Sequence, residues 1–370
     1  VRSADPFQDP RRVAALSGRI DALAARLGRP ATFMEVCGTH THAIAAAGLR
    51  RLLPPQVRLI SGPGCPVCVT PVDDLDRALG LARLPDLSLC TFGDLLRVPA
   101  SRRDSLERVR AEGADVQIVY SPRDAVQIAR ERPGRRVVLV GIGFETTMPT
   151  VAAALDEAER TGVSNFFVLP CGKLVEPPLR ALAADPEVAV DGFLLPGHVS
   201  VILGWRAYQF LVDEFGLGGV VVGFGAVDIQ AGIEALLRQL VEGRPRIENR
   251  YTRVVGPDGN RAALELIERF FEPVTTRWRG LGAIPGSGLA LRPAWAHRDA
   301  SRFPLVLPEP EEPRGCRCGE VLRGRIEPPA CPLFARACRP DHPVGACMVS
   351  SEGTCAAWYR HEEWPQEVGR

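Results

Sequence analysis

Eight short β-type runs, most of them followed by a helix-like stretch, constrain this chain more than any single motif. They are ATFMEV (31–36), VRLIS (57–61), LSLCTF (87–92), VQIVYS (116–121), RVVLVGI (136–142), NFFVLP (165–170), GFLLPG (192–197) and GVVVGF (219–224). Between them lie stretches such as VDDLDRALGLAR (72–83) and VSVILGWRAYQFLVDEF (199–215). Alternation at roughly 25–30 residues per unit specifies βαβ units and parallel sheets, because a parallel neighbour needs a crossover long enough to hold a helix. The first four runs and the last four lie 103 to 108 residues apart, pair by pair. That spacing points to a duplication: two similar four-stranded parallel α/β domains, residues 1–125 and 126–243, linked near 125–135. The alternative is one eight-stranded doubly wound sheet.

The texture changes after residue 245. A helix-like stretch (262–271) leads into the Gly/Pro-rich GLGAIPGSGLALRP and FPLVLPEPEEPRG, and then into a cysteine-dense tail. Residues 244–370 therefore read as a third, loop-rich domain that needs something besides a large apolar core, and a metal cluster would serve. Six of the eleven cysteines, Cys316, Cys318, Cys331, Cys338, Cys347 and Cys355, lie in that tail.

No run of apolar residues is long enough to span a bilayer. The N-terminal VRSADPFQDPRR lacks the apolar core of a signal peptide, so the expected location is cytoplasmic, where thiols stay reduced. Cysteines there imply metal or redox chemistry more than a disulfide framework. The net charge of +1 offers no electrostatic case for a nucleic-acid or membrane partner. Of 45 basic residues only Lys173 is a lysine.

Sites in parallel α/β sheets form at the carboxyl ends of strands, where the loops converge. The unusual residues of this chain stand there repeatedly: CGTHTH after the first run, GPGCPVC after the second, CTFGD after the third, GFETT after the fifth, CGK after the sixth and PGH after the seventh. Cys37 and His40 offer a soft thiolate and an imidazole three residues apart, which suits Zn²⁺, Fe²⁺ or an activated cysteine nucleophile. A half-buried cysteine ahead of a helix cap is the plainer reading, and His42 reads as helix. Cys65 and Cys68 form a C-x-x-C able to make a reversible disulfide or half a metal site. Glu145 and Thr146 put a carboxylate and a hydroxyl at a strand end. Lys173 and His198 each suit an anion or a small polar ligand, or a plain loop role. Four tail thiolates would hold a [4Fe–4S] cluster or a zinc ion. Cys318, Cys331, Cys338 and Cys355 have 12, 6 and 16 residues between them, which leaves Cys316 and Cys347 for electron exchange or simple burial.

Taken together, CGTH (37–40), GPGCPVC (62–68), GFETT (143–147), PGH (196–198) and the tail from CGEVLRG to GTCAAWY (318–359) resemble the HypD family of [NiFe]-hydrogenase maturation factors. The resemblance spans nearly the whole chain. It implies two related α/β domains with an iron–sulfur domain, acting as an assembly scaffold with redox chemistry rather than as a free-standing catalyst. It further implies a small HypC-type partner that shares an Fe(II) receiving cyanide and carbon monoxide, a HypE-type cyanide donor, and delivery to the hydrogenase large-subunit precursor. Carried onto this chain, Cys37 would ligate iron with His40 beside it, Cys65 and Cys68 would be the redox pair, and Glu145 and Thr146 would line the cleft opposite. Cys318, Cys331, Cys338 and Cys355 would hold the [4Fe–4S] cluster. An iron–sulfur-dependent dithiol–disulfide oxidoreductase, or a zinc-stabilised binding module, are the other functions this set of thiols permits.

Overall fold

A computed structural model describes residues 5–364. All eight apolar runs form strands: β1 (Ala31–Glu35), β2 (Val57–Ser61), β3 (Leu87–Thr91), β4 (Val116–Ile118), β5 (Arg136–Gly143), β6 (Phe166–Gly172), β7 (Gly192–Leu195) and β8 (Gly218–Val221). A short β9 (Ile247–Asn249) follows, and then β10 (Phe271–Trp278) and β11 (Gly282–Leu291).

The strands make two parallel sheets, as the alternation requires. The first has the order β2-β1-β7-β8-β9 and the second β4-β3-β5-β6. Sheet membership does not follow the sequential division at residues 125 and 126. The chain lays down β1 and β2, leaves to build the whole second sheet, and returns at β7 beside β1. The physical reason is burial. Each sheet needs apolar cover on both faces, and β1 finds its second neighbour in β7, through Phe33–Gly192, Met34–Phe193 and Glu35–Leu194. The near-constant spacing of the runs thus reports the uniform size of βαβ units. The stretch 125–135 is no linker either: helix Pro122–Glu131 packs its Ala125, Val126 and Ala129 against the second sheet.

This path creates two switch points. In the first sheet the chain runs outward from β1 to β2 and, in the other direction, from β7 through β8 to β9. In the second it runs from β3 to β4 and from β5 to β6. At such a reversal the loops after the two central strands diverge and open a crevice at their carboxyl ends. The loops concerned are CGTH after β1, PGH after β7 and GFETT after β5.

The first sheet is covered on one face by helices Pro10–Leu27 and Ala226–Glu242, which enclose Ile20, Phe33, Val220, Ile233 and Leu236. Its other face, with Met34, Ile60, Phe193 and Val221, joins one continuous core with Tyr208, Trp278, Val321, Leu322 and the tail cysteines. The predicted helix 199–215 is broken into Gly197–Leu203, a 3₁₀ turn and Phe210–Phe215. The break falls at Gly204, whose φ of 80° suits a residue without a Cβ. Of the two Gly/Pro-rich stretches, GLGAIPGSGLALRP supplies β11 of an antiparallel hairpin with β10, bulged between Val274 and Thr276, and FPLVLPEPEEPRG has neither helix nor strand. The hairpin docks on β6 through Leu174 N–H to Ser287 O (2.9 Å) and a bridge between Lys173 and Gly288.

Candidate functional site

The segment after β1 is already helical. Cys37 is the N-cap of helix Gly38–Ala46, so His40 lies in its first turn and His42 in its interior. Two neighbours hold this corner. Glu35, at the end of β1, is wholly buried; its carboxylate accepts from the Cys37 amide (3.1 Å) and the Thr41 hydroxyl (2.5 Å), and burial pushes its pKa up. Gly64, from the β2 loop, accepts the Gly38 amide at 2.8 Å, and any side chain there would overlap the Cys37 backbone. The two cysteine loops are thereby locked against each other.

Burial pushes the Cys37 thiol up to about 12, against the pull of the His40 and Thr39 amides. The His40 ring turns to the β8 loop: Nε2 donates to the Gly223 carbonyl at 3.1 Å and the ring packs 4.9 Å from Phe224, which stacks on His198 at 4.1 Å. Burial pulls His40 down to about 4, so it is a neutral imidazole, and its Nδ1 is buried with no hydrogen-bond partner among the described residues. Among the described residues no hydrogen bond joins Cys37 to the His40 ring. His42 packs edge-on to His361 at 5.2 Å, in a structural place.

Cys65 caps the short helix Pro66–Val69 and its sulfur accepts the Cys68 amide at 3.3 Å. Both are free, buried thiols. Burial raises the Cys68 thiol, which is also hydrogen-bonded to Cys347 and to Cys65. Cys347 is hydrogen-bonded in turn to Cys318 and Cys355, and Cys316 to Cys318. The C-x-x-C is therefore linked through Cys347 to Cys318, Cys316 and Cys355 of the tail. All six tail cysteines line a single cavity with Leu333, Phe334, Gly345 and Met348. Among the described residues no three Cys, His, Asp or Glu side chains stand at the spacing of a single-ion site. Six soft donors around one apolar cavity are nonetheless the donor chemistry of a thiolate-held cluster.

Glu145 is buried beyond β5. Its Oε1 accepts the Val175 amide at 2.8 Å, its Oε2 has no partner among the described residues, and burial pushes its pKa up to about 7. Thr146 is half-buried beside it. Tyr208, buried and bonded to Ser200 at 3.1 Å, feels the charges of both Glu145 and Cys37, so the ends of the two sheets face one region. Lys173 and His198 part company. Lys173 is tied to Asp74 (3.3 Å) and the Thr276 hydroxyl (2.9 Å), a strut between a helix, β6 and the hairpin. His198 is exposed at the crevice.

Three contributors escaped the sequence reading. Glu35 had a legible signal, an acid inside an apolar strand. Glu352 had none: it accepts the Thr39 hydroxyl at 2.7 Å across 313 residues and lies over Gly38. The joining role of Cys347 could not be separated from that of its tail neighbours.

Residues 11–362 match the family described as HypD, hydrogenase formation hypA family. The chain belongs to the HypD family of hydrogenase maturation factors. It is 46% identical to the hydrogenase maturation factor HypD of Azotobacter vinelandii, over 100% of this chain and 99% of that one. It is 43% identical to HypD of Rhodobacter capsulatus over 98% of each chain, and 43% identical to HypD of Escherichia coli K12 over all of both. Among the described residues no helix is long and apolar enough to cross a membrane.

Proposed function

We propose that this HypD-family chain is the scaffold on which the Fe(CN)₂CO unit of [NiFe]-hydrogenase is assembled. A small HypC-type partner shares the iron, a HypE-type protein donates cyanide, and the large-subunit precursor receives the product. The observation that carries the reading is the chain of thiols from Cys65 and Cys68 through Cys347 to Cys318, Cys316 and Cys355, set beside the locked Cys37 corner.

Iron is the cargo. Cys37 offers it a thiolate at the first sheet's switch point, once the metal displaces a proton that burial otherwise retains. Neutral His40 keeps one buried ring nitrogen free next to that turn. Glu145, poised by burial to hold or release a proton near neutral pH, serves proton movement in the cleft with Thr146 beside it. Cys318, Cys331, Cys338 and Cys355 would hold the [4Fe–4S] cluster, which when bound supplies electrons one at a time. Cys65 and Cys68 exchange two electrons as dithiol and disulfide. The apolar lining around the thiols keeps water from the reactive centre.

The test is anaerobic co-purification with the HypC-type partner, read by infrared spectroscopy and iron analysis. Bands of bound cyanide and carbon monoxide, lost in Cys37→Ala, are the expected result. A Cys37→Ala protein that keeps them overturns the iron ligand. About five iron atoms per chain agree with cluster plus cargo, whereas about four without those bands favour a cluster-fed disulfide oxidoreductase.

A further inference from the structure

Arg279 is a cation that the function above leaves unused. It sits in the turn between β10 and β11, and its backbone amide donates to the Val69 carbonyl at 2.9 Å, the end of the helix carrying Cys68. The turn is pressed onto the tail at Gly280 and Gly319, where a side chain on either would overlap the other's backbone. Gly319 directly follows Cys318, so the guanidinium has a fixed place beside that cysteine.

The residue is 4% exposed, and Nε, Nη1 and Nη2 are all buried without a hydrogen-bond partner among the described residues. The nearest carboxylate is Glu312, whose oxygen is 3.6 Å from Nε, too long for a hydrogen bond, on a side chain 57% exposed. A permanent charge held in this way is strongly unfavourable unless something anionic answers it. The guanidinium faces a cavity of about 260 Å³ that it shares with Cys316 and Cys318. Arg317, paired with Glu320, lines the same cavity together with Arg323 and Glu312, so a free anion there would meet carboxylates as well as cations. A cluster held by four thiolates is anionic overall and is fixed by its own ligands.

We infer that Arg279 is the resident counter-charge of the tail's iron–sulfur centre and holds its reduction potential up. The inference rests on the cluster proposed above. A cation beside the centre stabilises the reduced form, which carries one more negative charge, more than the oxidised form. Arginine suits the task because it stays protonated when buried. Arg279 is thus a positioning and tuning residue that exchanges no electron itself.

The experiment uses the full-length chain purified anaerobically as wild type, Arg279→Gln, Arg279→Lys and Glu312→Gln. Iron and acid-labile sulfide are counted, and the cluster is titrated by EPR at controlled potential. The expected result is a potential lowered in Arg279→Gln, mostly restored in Arg279→Lys, and raised in Glu312→Gln, where an exposed anion is removed without risk to the fold. Arg279→Gln at the wild-type potential overturns the inference. A cluster lost in Arg279→Gln but kept in Arg279→Lys supports it, since the charge is then what the centre requires. Should both Arg279 variants lose the cluster, Glu312→Gln decides: a potential unmoved or lowered overturns the inference. A wild type without iron and sulfide overturns the cluster reading, and this inference with it.

Discussion

Glu145→Gln separates what the buried carboxylate costs from what it does. In the folded chain burial lifts its pKa from 4.5 to about 7, with only the Val175 amide and its own backbone favouring the ionised form. Between those two values the folded state binds the proton more tightly than the unfolded state. Wild-type stability therefore falls as pH rises from 4.5 to about 7 and levels off above it. At 1.36 kcal/mol per pH unit, the cost of carrying the charge is about 3 kcal/mol at pH 8. A glutamine keeps the acceptor for Val175 and mimics the protonated acid at Oε2, so the two proteins should be equally stable below pH 4.5. Above pH 7 the variant should be the more stable. With an unfolding entropy of about 2.1 cal/mol/K per residue, that gain is about 4 °C in melting midpoint for 370 residues. The assay is thermal melting by far-UV circular dichroism of both reduced, metal-free proteins from about pH 5 to 8. Other titrating groups cancel in the difference. A stability gap of the same size at every pH would refute the argument, because it would owe nothing to ionisation.

Lys173→Met leaves the half-buried Asp74 without its cation and should cost about 1–3 kcal/mol in chemical denaturation, with Asp74→Asn in the same chain recovering most of it. Burial already raises Asp74, so the deficit should shrink as the pH is lowered and that carboxylate takes a proton. As the only lysine, Lys173 should also resist amine-reactive labelling in the native protein and yield on unfolding, as peptide mass spectrometry reads directly. Gly64→Ala drives a methyl into the Cys37 backbone; iron binding should fall sharply while far-UV circular dichroism changes little. Glu352→Ala removes the tie to Thr39 and should cost about 1 kcal/mol in thermal stability.

The strands were legible because each is a run of apolar residues between Gly, Pro and polar breaks. Their allocation to sheets was not. A parallel strand can be added on either side of its predecessor, and nothing in ATFMEV says that its second neighbour is GFLLPG, some 160 residues on. The hairpin β10–β11 was hidden by Pro285, Gly286 and Gly288. Such residues are disfavoured inside a wide sheet but tolerated in a two-stranded ribbon that is all edge. The places of Cys37, Cys65, Cys68 and Glu145 beyond strand ends were legible because each follows directly on an apolar run. Glu352 and Arg279 were not, because each acts on a segment distant in the chain.

The tail is packed into the first sheet and is not a module hung from it. Gly324 packs so closely on Met34 and Ile60 that a methyl there would collide with both, placing the tail on the face of β1 and β2. Arg50 and Glu362 form an ion pair at 2.8 Å with both side chains largely buried, and Thr39 meets Glu352. These ties lead from the cysteine-rich segment to the β1 and β2 strands or to the helix after Cys37. The sulfur chain needs the same docking, since Cys68 reaches the tail through Cys347 alone among the contacts of its thiol. The interleaved path closes the argument. Because β7 returns to pair with β1, the Cys37 corner is held from one side by β7 and β8, and from the other by a tail seated against the C-x-x-C helix. Loosening the tail would therefore uncover the Cys37 corner and break the sulfur chain in one event, which couples the two through a single packed interface.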